Sequence, residues 1–133
     1  MKVYVFGNED SEIDNKALLV AEKLKHTIPD LEFVPVGLNK DLPFDNKEDV
    51  VIMDIVEGLD KVQVLNSQDL NKIALSPKLT VHDFDLGFQL KYLQKIGKLG
   101  EVKILGLPME KEPDYFLIQS ILRKLVAQDM QGS

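Results

Sequence analysis

Apolar and polar positions follow one another along the chain in a pattern that predicts five strands. Short runs rich in valine, isoleucine and aromatic residues, bounded by turn residues, are typical of strands. These runs span residues 2–6, 31–36, 50–53, 61–65 and 102–107. The third run is continuously apolar, as expected of a strand buried on both faces, and we expect it to end at Asp54. Pro35 predicts an edge position for the second strand, because proline there removes no ladder hydrogen bond.

Helical periodicity fills three of the intervening segments. From Ile13 to Ile28 apolar residues recur at three- and four-residue spacing, and Pro29 should end that helix. A second helix is predicted over 84–96, with Gly97 as its C-terminal cap. A third helix is predicted to begin at Pro113. The apolar residues expected to cover the sheet from this last helix are Phe116, Leu117, Ile121, Leu122 and Leu125.

The lengths of the connections predict a mixed sheet. Only seven residues separate Asp54 from Val62, whereas a parallel crossover needs about a dozen, so strand 61–65 should run antiparallel or at the margin. The remaining strands alternate with helices, which is typical of a parallel sheet. We therefore expect an α/β three-layer sandwich, with about five mostly parallel strands and helices on both faces, formed by a single domain over residues 1–133.

Composition narrows the function classes. The chain has 133 residues, of which 44% are hydrophobic and 29% charged, as in an ordinary globular domain. A formal charge of −6 disfavours a nucleic-acid partner, and the absence of cysteine excludes disulfides and thiolate metal sites. No apolar run reaches the ~18 residues that cross a bilayer, and the chain opens directly into a strand. We expect a cytoplasmic protein without membrane insertion, and the oligomeric state stays open.

The candidate functional residues lie near the expected ends of the parallel strands. Ligands of open α/β sheets bind beyond the carboxyl ends of the strands. The acidic loop 9–14, which includes Asp14, follows strand one. Asp54 ends strand three, and His82 precedes the helix predicted over 84–96. Two carboxylates and an imidazole form a mixed oxygen and nitrogen set that suits nickel, zinc, manganese or iron.

Each of these residues also has a structural interpretation. Asp14 stands three residues after Ser11, so the pair can form a capping box, and Asp54 can cap the turn that follows it. His82 can be a hydrogen-bonded histidine in a half-buried segment. His26, at a helix end where a cation favours the helix dipole, is interpreted as structural. No H-E-x-x-H motif, Walker loop or G-x-G-x-x-G is present.

Three segments together resemble the hydrogenase maturation endopeptidases. They are F-G-N-E-D-S-E-I-D at 6–14, V-V-I-M-D at 50–54 and L-T-V-H-D at 79–83, and I-L-G-L-P at 104–108 is similar to the family's closing strand. The family has a Gly-Asn turn after strand one, an acidic residue about six positions on, an aspartate ending strand three and a histidine before a helix. The matching positions here are Gly7-Asn8, Asp14, Asp54 and His82. The chain departs from the family pattern in having Ile13 before Asp14 and Asn15-Lys16 after it.

The resemblance implies a hydrolase that removes the C-terminal peptide from the precursor of a nickel-iron hydrogenase large subunit. Asp14, Asp54 and His82 would then be the catalytic residues and would also contact the metal. Nickel would be carried by the precursor as a recognition element, so no permanent cofactor is expected. The hydrogenase large-subunit precursor is the implied partner.

Two other functions remain open on the sequence. A receiver-like signalling domain would use Asp54 as its phosphoacceptor, although the segment between Asp54 and Val62 is too short for the helix that receivers place there. A non-catalytic metal-binding protein would keep the domain without proteolysis.

Overall fold

A computed structural model describes residues 1–7, 15–36, 49–56, 58–66 and 100–131, and within them lie five strands and two helices. The strands are β1 (Lys2–Phe6), β2 (Glu32–Val36), β3 (Val50–Val56), β4 (Gln63–Asn66) and β5 (Val102–Pro108). The helices are α1 (Lys16–Leu24) and α2 (Tyr115–Gln131). Neither helix in these ranges has the length and apolar character that crossing a membrane requires.

The five strands form one sheet in the order β2-β1-β3-β5-β4. Strands β2, β1, β3 and β5 are parallel, and β4 pairs antiparallel with β5. The predicted α/β class and mixed sheet are therefore confirmed. Strand β2 lies at the edge with Pro35 exposed, which agrees with the position that proline predicts.

Strand β3 is longer than the sequence pattern suggests. It continues through Ile55 to Val56, so the prediction that it ends at Asp54 is wrong. The ladder with β5 explains the extension, because Asp54 pairs with Gly106 and Val56 with Pro108. Ile55 is 1% exposed and Val56 is fully buried. Burial and ladder hydrogen bonds together outweigh the preference of aspartate for turns.

Both described helices pack on the same face of the sheet. Valines and leucines of the strands meet the apolar sides of α1 and α2 in one continuous core. Its members include Val3, Val5, Leu105, Ala17, Val20, Leu24, Ile118 and Leu122. The ammonium of Lys23 lies 4.7 Å from the centre of the Tyr115 ring, a cation–π contact that joins the two helices.

The opposite face of the sheet is buried as well. Tyr4, Ile52, Val56 and Ile104 belong to a second core cluster, and Ile52 and Ile104 are fully inaccessible. Burial on both faces is the arrangement that the continuously apolar strands predict. The helix expected over 84–96 lies outside the described residues.

Helix α1 ends at Leu24, four residues earlier than its apolar periodicity predicts. Ile28 continues the pattern of burial, at 3% exposed, but it lies in the turns that follow the helix. The N–H of Ile28 still donates to the carbonyl of Leu24 at 3.2 Å. Ile13, the predicted first apolar position, lies outside the described residues.

Helix α2 brings four of the five predicted residues to the core, namely Leu117, Ile121, Leu122 and Leu125, but not the fifth. Phe116, expected to cover the sheet, is 86% exposed, and Ile118 is fully buried instead. The buried positions 118, 122, 125 and 126 share one face of the helix, and at 100° per residue position 116 falls on the opposite side. Asp114 sets the start of the helix, because its Oδ1 accepts the N–H of Leu117 at 3.1 Å.

Candidate functional site

The carboxyl ends of four parallel strands meet at one edge of the sheet, which we call the carboxyl edge. Strands β1, β2, β3 and β5 end there at Phe6, Val36, Val56 and Pro108. Helix α1 also begins at this edge, since it runs back along the sheet to the start of β2. An open α/β sheet places its ligand-binding crevice at this edge.

Among the residues that the structure describes, Asp54 is the one charged residue that is buried, with 8% of its surface exposed. It lies within β3, two residues before the strand ends, rather than at the end of the strand as predicted. Its Oδ1 accepts the N–H of Ile55 at 2.8 Å. A carboxylate is seldom buried to this extent in a strand without a specific role, because removing it from water is costly.

The neighbour of Asp54 on β5 has no side chain. Asp54 and Gly106 are paired in register, and in a parallel pair such residues face the same side of the sheet. The space beside Gly106 is filled by Leu59: a Cβ at position 106 would lie 2.8 Å from Leu59 Cδ1 and 3.0 Å from Val56 Cγ2. Gly106 therefore allows the turn after β3 to pack directly against β5 beside Asp54.

Two lysine side chains connect the loops of the carboxyl edge. Lys16, the first residue of α1, donates from Nζ to the carbonyls of Pro108, Met109 and Lys111 at 3.3, 2.6 and 2.8 Å. Lys111 in turn donates from Nζ to the carbonyl of Asp60 at 2.9 Å. The start of α1, the end of β5 and the turn after β3 are thus tied together through hydrogen bonds to backbone carbonyls.

The contacts of these lysines were not predicted from the sequence, although Lys16 carries one signal. A cation in the first turn of a helix opposes the positive end of the helix dipole. Its occurrence at that position indicates a compensating partner elsewhere. Nothing in the local pattern identifies that partner, because the carbonyls lie more than 90 residues away along the chain.

Of the three predicted site residues, the structure describes Asp54. Asp14 and His82 lie outside the described residues, so their approach to Asp54 stays a prediction. Within the described ranges, no group of three or more His, Cys, Asp or Glu side chains is arranged to hold a metal ion. His26 is exposed and lies just after α1, at the helix end where the sequence predicts it.

Two clefts lie away from Asp54. One of about 510 Å³ opens at the amino ends of the strands, between Lys2, Asp49 and Glu101. The other, of about 500 Å³, runs between α1 and the edge strand β2 and is lined by Leu18, Leu19, Phe33 and Pro35 among others. Neither cleft contains Asp54, and the first lies at the end of the sheet opposite the usual ligand site.

Comparison with known proteins shows which solved structures share this fold. No protein-family model matches the sequence, and no curated protein matches it either. Among solved structures, the hydrogenase maturating endopeptidase HybD from E. coli superposes with a TM-score of 0.60 at 16% identity, covering 99% of this chain and 91% of that one. The solution structure of an endopeptidase from Escherichia coli gives a TM-score of 0.54 at 16% identity, over 96% of this chain and 89% of that one.

A third solved structure, the hydrogenase 3 maturation protease, has a TM-score of 0.50 at 21% identity and covers 81% of this chain and 72% of that one. At such identities the likeness is one of fold. It extends over nearly the whole chain in the first two cases. The chain therefore has the fold of the hydrogenase maturation endopeptidases.

Proposed function

We propose that this protein is an endopeptidase that removes the C-terminal extension from the large-subunit precursor of a nickel-iron hydrogenase. The observation that carries the proposal is Asp54, a buried carboxylate on a central strand of the maturation-endopeptidase fold. The fold likeness spans 99% of the chain, and the motifs around Asp14 and His82 support it from the sequence.

Nickel enters this proposal as part of the substrate. The precursor brings the metal, and Asp14, Asp54 and His82 engage it through two carboxylates and one imidazole. Oxygen and nitrogen donors suit nickel, and three of them leave positions for ligands from the precursor or for water. Asp54 supplies one of these carboxylates from a central strand, where its Oδ1 accepts the N–H of Ile55 at 2.8 Å.

The cleaved bond is a peptide bond, so a water molecule supplies the attacking oxygen. The water adds to the peptide carbonyl, the C–N bond breaks, and the released amine takes up a proton. A carboxylate beside a divalent cation stays ionised, so Asp14 and Asp54 serve as ligands or as the base rather than as the acid. In this proposal, nickel identifies the precursor that is ready for cleavage and holds its C-terminal tail near the attacking water.

The test compares nickel-loaded with nickel-free precursor and follows the loss of the C-terminal peptide by mass spectrometry. We expect cleavage of the loaded form only. Asp54→Asn should reduce the rate by roughly 100-fold or more, the scale of a lost ligand or general base. Asp49→Asn is the matched control, because Asp49 Oδ1 also accepts a backbone N–H, that of Glu101 at 2.8 Å, but lies at the opposite end of the sheet. Equal cleavage of both precursors, or of neither, would refute the proposal.

The receiver-like alternative fits the fold less well. Receivers have the strand order 2-1-3-4-5 in a parallel sheet, whereas here the strand after β3 in the chain is antiparallel and lies at the far edge. Incubation with a small phosphodonor and magnesium should therefore leave Asp54 unlabelled.

A further inference from the structure

We propose that Leu59 is a positioning residue for Asp54, which occupies the space that a side chain at position 106 would take beside the carboxylate. This inference rests on the proposed function. Its basis is the pairing of Asp54 with Gly106 in the ladder, together with the position of Leu59 Cδ1, only 2.8 Å from where a Cβ of residue 106 would lie.

The register of the sheet puts this space next to Asp54. Asp54 and Gly106 face the same side of the sheet, and neighbouring strands lie about 4.8 Å apart. A side chain at position 106 would therefore begin about 5 Å from the Cβ of Asp54, close enough to pack against it. Because the methyl group of Leu59 fills that space, a residue of the turn after β3 borders Asp54 on the β5 side.

The remaining surroundings of Asp54 within its own strand are rigid. Ile52 and Val56 lie on the same side of β3 as Asp54, and both are fully buried. The Oδ1 atom of Asp54 accepts the N–H of Ile55 at 2.8 Å, which ties one carboxylate oxygen to the strand. Leu59 packs against the same core cluster as Ile52 and Val56. It thereby blocks rotation of the carboxylate toward β5.

The turn that carries Leu59 is held in place on both sides. Gly58 has a φ of +91°, a conformation that residues with a side chain rarely adopt, so the chain can turn sharply just before Leu59. After Leu59, the carbonyl of Asp60 accepts a hydrogen bond from Lys111 Nζ at 2.9 Å. The carbonyl of Lys111 in turn accepts one from Lys16 Nζ at 2.8 Å. Leu59 is therefore fixed relative to β5, as a positioning residue must be.

A positioning role and a purely structural role give different results. If Leu59 only stabilises the fold, its truncation lowers the folded fraction and leaves kcat of the folded protein unchanged. If Leu59 positions Asp54, its truncation lowers kcat of the folded protein with little change in KM, because it orients a catalytic group rather than binding the precursor.

The experiment measures kcat and KM for nickel-loaded precursor with wild type, Leu59→Ala, Leu59→Met, Gly106→Ala and the double variant Leu59→Ala/Gly106→Ala. The matched control is Leu125→Ala, which truncates a leucine that is 8% exposed and belongs to the core on the opposite face of the sheet. Circular dichroism at the assay temperature gives the folded fraction, by which each kcat is normalised.

We expect Leu59→Ala to lower kcat by about 10-fold with KM changed less than about two-fold, since small misplacements of reacting groups cost rate steeply. Leu59→Met keeps the volume of the side chain and should stay within about two-fold of the wild type. Leu125→Ala should match the wild type once normalised.

Gly106→Ala should have opposite effects in the two backgrounds. In the wild type its methyl group displaces Leu59, so a loss in kcat of about three-fold is expected. In the Leu59→Ala background the same methyl group fills the vacated space beside Asp54, and kcat should rise by about three-fold.

The outcomes separate this inference from the proposed function. No cleavage by the wild type overturns both. Cleavage by the wild type overturns this inference alone if Leu59→Ala keeps full kcat, if Leu125→Ala loses as much kcat as Leu59→Ala, or if Gly106→Ala lowers kcat further in the Leu59→Ala background. If Leu59→Ala does not fold, Leu59→Val, which removes one carbon, decides in the same way, with a loss of about three-fold expected.

Discussion

Ile118 and Phe116 lie two residues apart on α2, and their truncation should have opposite consequences. Ile118 is fully buried in the core under the helices. Ile118→Ala removes three buried carbon atoms, which at about 0.8 kcal/mol each corresponds to about 2.4 kcal/mol of lost transfer free energy. The cavity left behind adds to this cost. We expect the free energy of unfolding to fall by about 3 kcal/mol, within the roughly 2–5 kcal/mol of such substitutions.

Phe116→Ala should change the free energy of unfolding by less than about 0.5 kcal/mol. Phe116 is 86% exposed, so about a seventh of the roughly 1.5–3 kcal/mol gained by burying a phenylalanine is present, or about 0.2–0.4 kcal/mol. Alanine has the higher helix propensity by a comparable amount, so the two effects nearly cancel.

Urea unfolding followed by circular dichroism measures both variants, and the comparison holds if the slopes with denaturant agree. The wild type and the two variants should be studied at one protein concentration. A loss above about 1 kcal/mol in Phe116→Ala, or below about 1 kcal/mol in Ile118→Ala, would refute the exposure of Phe116 and the burial of Ile118 described above.

Three further predictions concern stability. Asp114→Ala should cost about 1 kcal/mol in urea unfolding, because it removes the N-terminal cap of α2, whereas Asp114→Asn should cost much less; equal losses would contradict capping. Gly106→Ala should cost about 1–3 kcal/mol through the contact with Leu59, and less in a Leu59→Ala background; an additive double mutant would contradict the contact. The hydrogen bond and the charge of Lys25, and to a smaller extent His26, hold the pKa of Glu22 below its ordinary 4.5. The stabilisation of the folded state that corresponds to this lowered pKa is present above pH 4.5 and is lost as the pH falls through the lowered value. The stability difference between wild type and Lys25→Met should therefore vanish in acid, and a difference that grows there would contradict the ion pair.

Much of the fold could be predicted from local pattern. The ends of the strands lie within three residues of the predicted runs, and β1 coincides with its run, because β-branched and aromatic residues between turn residues have few alternatives to a buried strand. Pro35 predicted the edge position of β2 through its missing N–H. The short segment after Asp54 predicted that β4 runs antiparallel or lies at the margin, and β4 does both. The resemblance of short motifs to the maturation endopeptidases was confirmed at the level of fold.

Less of the candidate site than of the fold could be predicted from the sequence. The position of Asp54 on β3 followed from the pattern, but its depth did not, because the strand continues for as long as β5 offers ladder partners. The Lys16 contacts depend on carbonyls that are distant in the chain. The meeting of Asp14 and His82 with Asp54 stays a prediction.

The sequence by itself determined the α/β class, the edge position of β2 and the placement of β4 as an antiparallel or marginal strand, because these depend on periodicity, on one proline and on the length of one connection. Only the tertiary structure decided the depth of Asp54, the exposure of Phe116 and the partners of Lys16. The physical reason is common to the three. Strand length depends on the register with a distant strand, helix rotation depends on which of several apolar residues packs best against the sheet, and a lysine finds its acceptors only when the loops that carry them are brought together.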